Sequence, residues 1–219
     1  MVKLAVTGLH HRFGRHKVLQ GIELTMHAGD CVVLFGDNGS GKSTLLTLLS
    51  TRFSLQKGQY TLDGLDSKNH GDEIRDKLVF VSHNSHLYGH LTPVENLLFF
   101  ADLRQLTPSD DAIRKTIETV GLGRFADRPS RWFSAGMKKR LTLARVLIAK
   151  PSLLLLDEPY SALDAQGVNW LNSILTDFLK GGGMIIMASH DPQRVAALDH
   201  KPQFLKKGRL LPEGEVVTC

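Results

Sequence analysis

A glycine-rich stretch constrains what this chain can fold into more than any other feature, and it reads Gly36-Asp37-Asn38-Gly39-Ser40-Gly41-Lys42-Ser43. It follows the apolar run Cys31–Phe35 and precedes leucines at helical spacing, so it joins a strand to a helix. In that context the pattern G-x-x-x-x-G-K-[ST] cradles phosphates, because glycines let backbone N–H groups approach the oxygens. We expect Lys42 to reach the β- and γ-phosphates of a nucleotide and Ser43 to offer its hydroxyl to Mg²⁺. The predicted nucleotide contacts are Gly36, Asp37, Asn38, Gly39, Ser40, Gly41, Lys42, Ser43 and Thr44.

A second feature places two carboxylates at the end of an apolar strand. The run Leu153–Leu156 ends in Asp157, and Glu158 follows at once. A nucleotide cradle needs a second metal anchor at the end of a neighbouring strand. We therefore expect Asp157 to hold the Mg²⁺ shell and Glu158 to polarise an attacking water. Adjacent acids alone are common on surfaces, so the phosphate loop is what favours the catalytic interpretation.

The hydrophobic patterns predict three structural regions. The first thirty residues alternate apolar and polar with breaks at Gly8, Gly14, Gly21 and residues 28–30, which indicates antiparallel strands with turns. Strands alternating with helices after the phosphate loop predict an α/β fold with a mostly parallel sheet. Residues 84–134 show only helical signals, including the capping box Thr92-Pro93-Val94-Glu95. We expect one domain, with a core and antiparallel β lobe in 1–83 and 135–219 and a small helical subdomain in 84–134.

Length and composition exclude long solenoids and multidomain assemblies, and they exclude a membrane channel or carrier made by this chain alone. The 219 residues suit one domain with a sub-lobe, and no apolar run approaches the ~18 to 20 residues needed to cross a bilayer. The start of the chain lacks the features of a secretory signal, and Cys31 and Cys219 make no disulfide or zinc pattern, so we expect a reducing cytosolic location. The net charge of +5 suits nucleic acid, an anionic membrane surface or phosphate ligands.

Three further segments carry a resemblance to a known family. Phe133-Ser134-Ala135-Gly136-Met137 resembles the L-S-G-G-Q signature of ATP-binding cassette (ABC) ATPases. Ser161-Ala162-Leu163-Asp164 looks like the D-loop of that family, and Ser189-His190-Asp191 looks like its switch histidine. With the phosphate loop and the acidic pair, these motifs stand in the order of the family and cover nearly the whole chain. The resemblance implies an ABC ATPase fold, which is a RecA-like P-loop NTPase core with an antiparallel β subdomain and a small helical one.

The resemblance also implies a dimer that binds ATP and Mg²⁺. In this family two cassettes stack head to tail, so Ser134 and the Gly136 N–H would reach the γ-phosphate bound by a second ATPase subunit, here expected to be an identical copy. His190 would contact the γ-phosphate and act with Glu158 in catalysis. Phe13 occupies the place of the aromatic residue that stacks on adenine.

The chain departs from the family pattern at two places. Where a glutamine is usual after the third strand, Asn84 is the nearest match, and its shorter side chain would offer an amide oxygen to Mg²⁺ or to a bound water at the nucleotide. Ala135 and Met137 stand where Gly and Gln are usual, which predicts weakened closure of the dimer. The nearby His83, His86 and His90 allow an alternative metal or haem site, although a loop ahead of a helix does not give them one face.

The resemblance places this chain on a membrane partner that its own sequence lacks. The helical segment is where transporter cassettes meet an integral membrane permease subunit, so the chain would lie peripherally on the cytoplasmic face of the cell (inner) membrane. Within the family it is most similar to the ATP-binding subunits of haem exporters used in cytochrome c maturation. A general exporter of drugs, lipids or polysaccharides is the alternative. A soluble cassette ATPase or a small P-loop kinase fits less well, and no nucleic acid partner is expected.

Overall fold

The computed structural model describes residues 2–82 and 86–212, and within these ranges the strands form one four-stranded and one six-stranded sheet. None of the helices in the same ranges combines the length and the apolar character needed to cross a bilayer. The strands are β1 (Val2–Phe13), β2 (His16–His27), β3 (Cys31–Phe35), β4 (Lys57–Leu62), β5 (Leu65–Asp66), β6 (Leu78–Val81), β7 (Leu153–Asp157), β8 (Met184–Ala188), β9 (Lys201–Lys206) and β10 (Arg209–Pro212). The helices are α1 (Lys42–Leu49), α2 (Gly71–Lys77), α3 (Pro93–Leu103), α4 (Asp110–Thr119), α5 (Ala135–Ala149), α6 (Ala165–Lys180) and α7 (Pro192–Val195), with 3₁₀ turns at Gly123–Phe125 and Ser130–Trp132.

The N-terminal half of the chain builds an antiparallel sheet in the order β2-β1-β4-β5. The antiparallel strands expected from the alternating pattern are confirmed, but two of the expected breaks are wrong. Gly8 and Gly21 lie inside β1 and β2, at positive φ, and the β1–β2 register shifts between Val6 and Leu9. A glycine in a strand can make a bulge that bends the strand without ending it. Chain reversals occur at the other two predicted breaks, Gly14 and residues 28–30.

The second sheet has the order β10-β9-β3-β8-β7-β6, and its strands are parallel except β10. The expected α/β class with a mostly parallel core is confirmed. β7 and β8 are buried along their whole lengths, because one face packs on the cluster with α1 and the antiparallel sheet and the other packs on α5 and α6. Burial on both faces explains why these strands are continuous apolar runs.

Helices follow β6 in the described part of the segment up to α5. The predicted capping box is confirmed: Thr92 Oγ1 accepts from the N–H of Glu95 at 3.2 Å, and the Glu95 carboxylate accepts from the N–H of Thr92 at 2.8 Å. These helices bury an apolar cluster of their own against Leu141 and Ala144 of α5. α5 therefore packs both against the parallel sheet and against the cluster of these helices.

A buried asparagine holds the turn that leads into α3, and no pattern in the sequence predicts its role. Asn96 is 1% exposed, and its Oδ1 accepts from the N–H of Tyr88 at 2.9 Å. Its Nδ2 lies 3.1, 3.1 and 3.0 Å from the carbonyl oxygens of Tyr88, Leu91 and Thr92. One side chain thus supplies the acceptor for the N–H of Tyr88 and adds a donor to three carbonyl groups of the turn.

Asn96→Ala should lower the free energy of unfolding by about 1–3 kcal/mol, because the N–H of Tyr88 loses this acceptor and three carbonyl groups of the turn lose one of their donors. Chemical denaturation followed by circular dichroism measures the change. Asn69→Ala is the matched control, since Asn69 is exposed and bonds only Asp66 at 3.1 Å, and it should change stability by less than about 0.5 kcal/mol. Equal stability of the two variants would contradict the anchoring role.

Candidate nucleotide-binding site

The parallel sheet brings the predicted site segments to one edge. Leu34 in β3 and Asp157 in β7 both pair with Ala188 in β8, so the three strands end side by side. The phosphate loop, the acidic pair and Ser189-His190 follow these ends. The phosphate loop and the acidic pair border a cavity of about 310 Å³, and His190 lies outside its described lining. Its lining consists of His16, Val18, Asn38, Gly39, Gly41, Lys42, Ser43, Thr44, Asp157 and Glu158.

Close packing explains why two loop positions are glycine. Gly36 has φ +143°, and a Cβ there would lie 2.5 Å from the carbonyl oxygen of Leu205 in β9. Gly41 has φ +109°, and its Cβ would lie 2.9 Å from Cγ1 of Val18 in β2. Both the parallel core and the antiparallel sheet therefore press on the loop. Gly41 caps α1 without a side-chain acceptor, which leaves first-turn N–H groups able to bind an anion.

The Lys42 ammonium lies across the loop. Lys42 is 8% exposed, and its Nζ donates to the carbonyl oxygens of Gly36 at 2.6 Å and Asp37 at 3.0 Å. A phosphate oxygen carries charge and accepts more strongly than a carbonyl. Lys42 can therefore exchange these carbonyls for a nucleotide phosphate with little movement of its main chain.

The two predicted catalytic residues are in contact. Glu158 Oε2 lies 2.8 Å from His190 Nδ1, and the histidine is mostly exposed while the carboxylate is largely covered. Glu158 adopts φ +49°, a conformation that is rare for a residue with a side chain. Asp157, by contrast, ends β7 in regular strand pairing and is buried beside the phosphate loop. The two adjacent acids thus have different environments.

Oxygen donors that suit Mg²⁺ are present in the cavity. The Ser43 hydroxyl and the Asp157 carboxylate belong to residues that line it, and hard oxygen ligands are those that Mg²⁺ prefers. Asn84, the third candidate, lies outside the described residues, as does His83. The roles of Ser43, Asp157 and Asn84 in binding Mg²⁺ stay predictions.

The structure adds two residues that the sequence did not single out and leaves Phe13 outside the cavity. His16 and Val18 line the cavity, whereas Phe13 is not among its described lining residues. Phe13 pairs with His16 across the β1–β2 hairpin, and its ring stands edge-on to His11 at 4.8 Å. The role of Phe13 on adenine stays a prediction. The predicted turn at Gly14 could have pointed to these two residues. His16 and Val18 follow it in β2, and residues two positions apart in a strand lie on the same face.

The signature-like segment starts α5 on another part of the surface. Ser134 is the N-cap, and its Oγ accepts from the N–H of Met137 at 3.2 Å. Gly136 lies against the D-loop-like segment, because a Cβ there would be 3.1 Å from the carbonyl oxygen of Ala162. Neither Ser134 nor Gly136 belongs to the cavity lining that the structure describes, so their action on a nucleotide held by a partner stays a prediction.

A buried lysine connects α5 to the acidic pair. Lys139 is 8% exposed, and its Nζ donates to the carbonyl oxygen of Glu158 at 3.2 Å. Burial lowers the pKa of Lys139 to about 8, against the opposing attraction of Asp157 and Glu158. In the sequence this residue is the middle one of the basic cluster Lys138-Lys139-Arg140, which does not distinguish it from its neighbours.

The histidines of the alternative metal site have other partners where they are described. His86 Nε2 lies 3.0 Å from Ser82 Oγ, and His90 Nδ1 lies 3.0 Å from a guanidinium nitrogen of Arg131. Burial and the nearby cations Arg52 and Arg145 lower the pKa of His86. Over 2–82 and 86–212, no group of three His, Cys, Asp or Glu side chains is placed to hold a metal ion.

Comparisons with known proteins agree on one family. A family model described as "ABC transporter" matches residues 19–161. The cytochrome c biogenesis ATP-binding export protein CcmA of Dechloromonas aromatica (strain RCB) is 34% identical over 184 residues, covering 84% of this chain and 90% of that protein. The CcmA of Pseudomonas savastanoi pv. phaseolicola (strain 1448A / Race 6) is 38% identical over 174 residues, covering 79% and 81%.

Solved structures share the fold. An ATP-binding subunit of an ABC transporter superposes with a TM-score of 0.88 at 22% identity, covering 95% of this chain and 88% of that one. The ADP conformation of an ATP-binding cassette of an ABC transporter superposes with a TM-score of 0.80 at 19% identity, covering 96% and 90%. At 22% and 19% identity, these superpositions establish that the fold is shared and nothing more.

Lys42→Ala should weaken ATP binding by about 100-fold or more, because a charge-assisted contact with the phosphates is lost. Equilibrium titration with a fluorescent ATP analogue measures the dissociation constant. Lys115→Ala, which removes an exposed lysine on α4, should leave it unchanged. An unaltered affinity in Lys42→Ala would count against the phosphate loop.

Proposed function

Because this chain belongs to the ABC transporter family and is an ATP-hydrolysing subunit of it, we propose that it powers export across the cytoplasmic membrane for cytochrome c biogenesis, with haem as the cargo. The observation that carries this proposal is the similarity over about four-fifths of the chain to proteins named as cytochrome c biogenesis ATP-binding export proteins. The convergence of the phosphate loop and the acidic pair on one cavity supports the ATPase part.

In the proposed mechanism the phosphate loop and Lys42 hold the ATP phosphates. Ser43 and Asp157 would hold Mg²⁺, and the ion would supply positive charge beside the phosphoryl group. Glu158 accepts a proton from the attacking water, and the bond from His190 keeps its carboxylate in one orientation. The left-handed backbone of Glu158 aims its side chain differently from that of Asp157, which supports separate roles for the two acids.

We propose that two copies of the chain complete each site. Ser134 and the free N–H groups at the start of α5 form an anion site on the surface, at the end of a 15-residue helix. Such a site suits the γ-phosphate of an ATP that the second copy holds. ATP binding would then close the dimer, and hydrolysis would reopen it.

We propose that residues 84–134 form a helical subdomain and that the groove beside it receives an integral membrane subunit. This groove, of about 240 Å³, lies between α3 and β6 and contains Phe80, Phe100 and four arginines. Leu98, Phe99 and Leu103 of α3 are exposed, which is unusual for large apolar side chains of one helix. The chain would thereby sit peripherally on the cytoplasmic face of the membrane.

Glu158→Gln should bind ATP normally but hydrolyse it at least ~100-fold more slowly, because an amide cannot accept the proton. A phosphate-release assay gives the rate, and size-exclusion chromatography with ATP should show accumulation of the dimer. Glu118→Gln, on the exposed face of α4, is the control and should behave as the wild type. Normal turnover in Glu158→Gln would remove Glu158 as the base.

Deletion of the gene in its source organism should abolish haem-staining c-type cytochromes in membranes. The wild-type chain should restore them, and Lys42→Ala should not, since export needs ATP binding. Affinity purification of the wild-type chain from native membranes should also recover an integral membrane protein. Normal cytochrome c after deletion, with a membrane partner still recovered, would favour a general exporter, and recovery of nucleic acid in place of a membrane protein would favour a soluble cassette ATPase.

A further inference from the structure

We propose that Lys139 is a positioning residue for the general base, and that its ammonium holds the backbone of Glu158 in the conformation that hydrolysis requires. The inference rests on the proposed function, in which Glu158 is the base. It concerns contacts within one chain, so it does not depend on which cargo or membrane partner the transporter has.

The first observation is that the Lys139 ammonium is buried and has a specific partner. Burying an ammonium is costly unless it is hydrogen-bonded, and lysines are rarely as covered as this one. Its Nζ donates to the main-chain oxygen of Glu158, whereas the Glu158 carboxylate is bonded to His190. The cation therefore binds the backbone of the base without forming a contact that would neutralise its carboxylate.

The second observation is that Glu158 needs to be held. Its φ of +49° is disfavoured for a residue with a Cβ, and such conformations persist where surrounding contacts determine them. The N–H of Glu158 donates to the Ala188 carbonyl at 3.0 Å. Its carbonyl oxygen accepts from Lys139 Nζ at 3.2 Å, and from both the Oγ and the N–H of Ser161 at 2.8 and 3.2 Å. Lys139 is the contact in this set that comes from α5.

The third observation is that α5 touches the same segment twice. Lys139 contacts Glu158, and one turn earlier Gly136 packs against the Ala162 carbonyl. A helix turn is rigid over this distance, so a displacement of the start of α5 would be passed to the base. Lys139 thereby links the anion site at Ser134 to Glu158 within one chain.

The test is a double-mutant cycle between Lys139 and Glu158. Lys139→Met keeps an unbranched side chain but loses the donor, and it should lower single-turnover hydrolysis about 10- to 100-fold, the loss expected for one charge-assisted hydrogen bond. Its dissociation constant for ATP should stay within about twofold of the wild-type value, because the nucleotide contacts remain. In the Glu158→Gln background the same substitution should change the residual rate by less than about twofold, since the base it positions is already absent.

Two companions separate positioning from general damage to the fold. Lys180→Met removes an exposed lysine at the end of α6 and should hydrolyse ATP as the wild type does. Lys139→Arg keeps a charged donor and should recover part of the rate that Lys139→Met loses. Rates are referred to the fraction of chain that binds ATP, so a partly unfolded preparation does not count as a slow one.

Three outcomes would overturn the role of Lys139. These are an unchanged rate in Lys139→Met, the same fold-loss in both backgrounds, or a loss of ATP affinity that accounts for the slower rate. Failure of the proposed function appears in another arm of the experiment, as normal hydrolysis in Glu158→Gln alone. The two failures are therefore distinguishable.

Discussion

The parallel register of β3, β8 and β7 is the constraint on which the rest of the site depends. Because Leu34 and Asp157 both pair with Ala188, the loops that follow these strands start at the same level. A slip of one residue in β7 would turn its side chains to the opposite faces and move the Asp157 carboxylate away from the phosphate loop. The continuous burial of the strands on both faces resists such a slip, since each residue already has a fitted packing position.

Main-chain carbonyl groups hold the cations near this edge. Lys42 donates to carbonyl groups of the phosphate loop, and Lys139 donates to the carbonyl of Glu158. Arg145 donates from α5 to the carbonyl of His86 at 2.7 Å. At the opposite end of the sheet Arg104, directly after α3, donates to the carbonyl of Leu78, the first residue of β6, at 2.9 Å. A guanidinium or ammonium can bind a carbonyl without losing its charge, so these contacts fix helices to strand ends and leave the carboxylates of the site available.

Local patterns in the sequence are sufficient to predict the α/β fold and the main site motifs. Contacts between residues far apart in the chain cannot be predicted from such patterns. The phosphate loop, the acidic pair and the Thr92 capping box are each set by residues within a few positions of one another, which is why a linear pattern reveals them. Lys139 bonds a group 19 residues away in the chain, and nothing beside it in the sequence marks that partner. The predicted break at Gly8 is wrong for the same reason, because whether a glycine ends a strand or bulges within it depends on the neighbouring strand.

The basic cluster 138–140 shows how the structure sharpens an inference from charge. By sequence alone, three adjacent cations directly after the signature-like segment favour a role in the nucleotide-dependent dimer over binding of nucleic acid. In the fold, Lys139 bonds Glu158, while Arg140 lies over the ring of Trp170 at 4.5 Å and donates to the carbonyl of Val120 at 3.3 Å. Two of the three charges therefore act inside their own chain. A surface that binds nucleic acid needs several cations that are free to neutralise phosphates. This cluster is better explained by its contacts within the chain, which join α5 to the catalytic edge and to the helical segment.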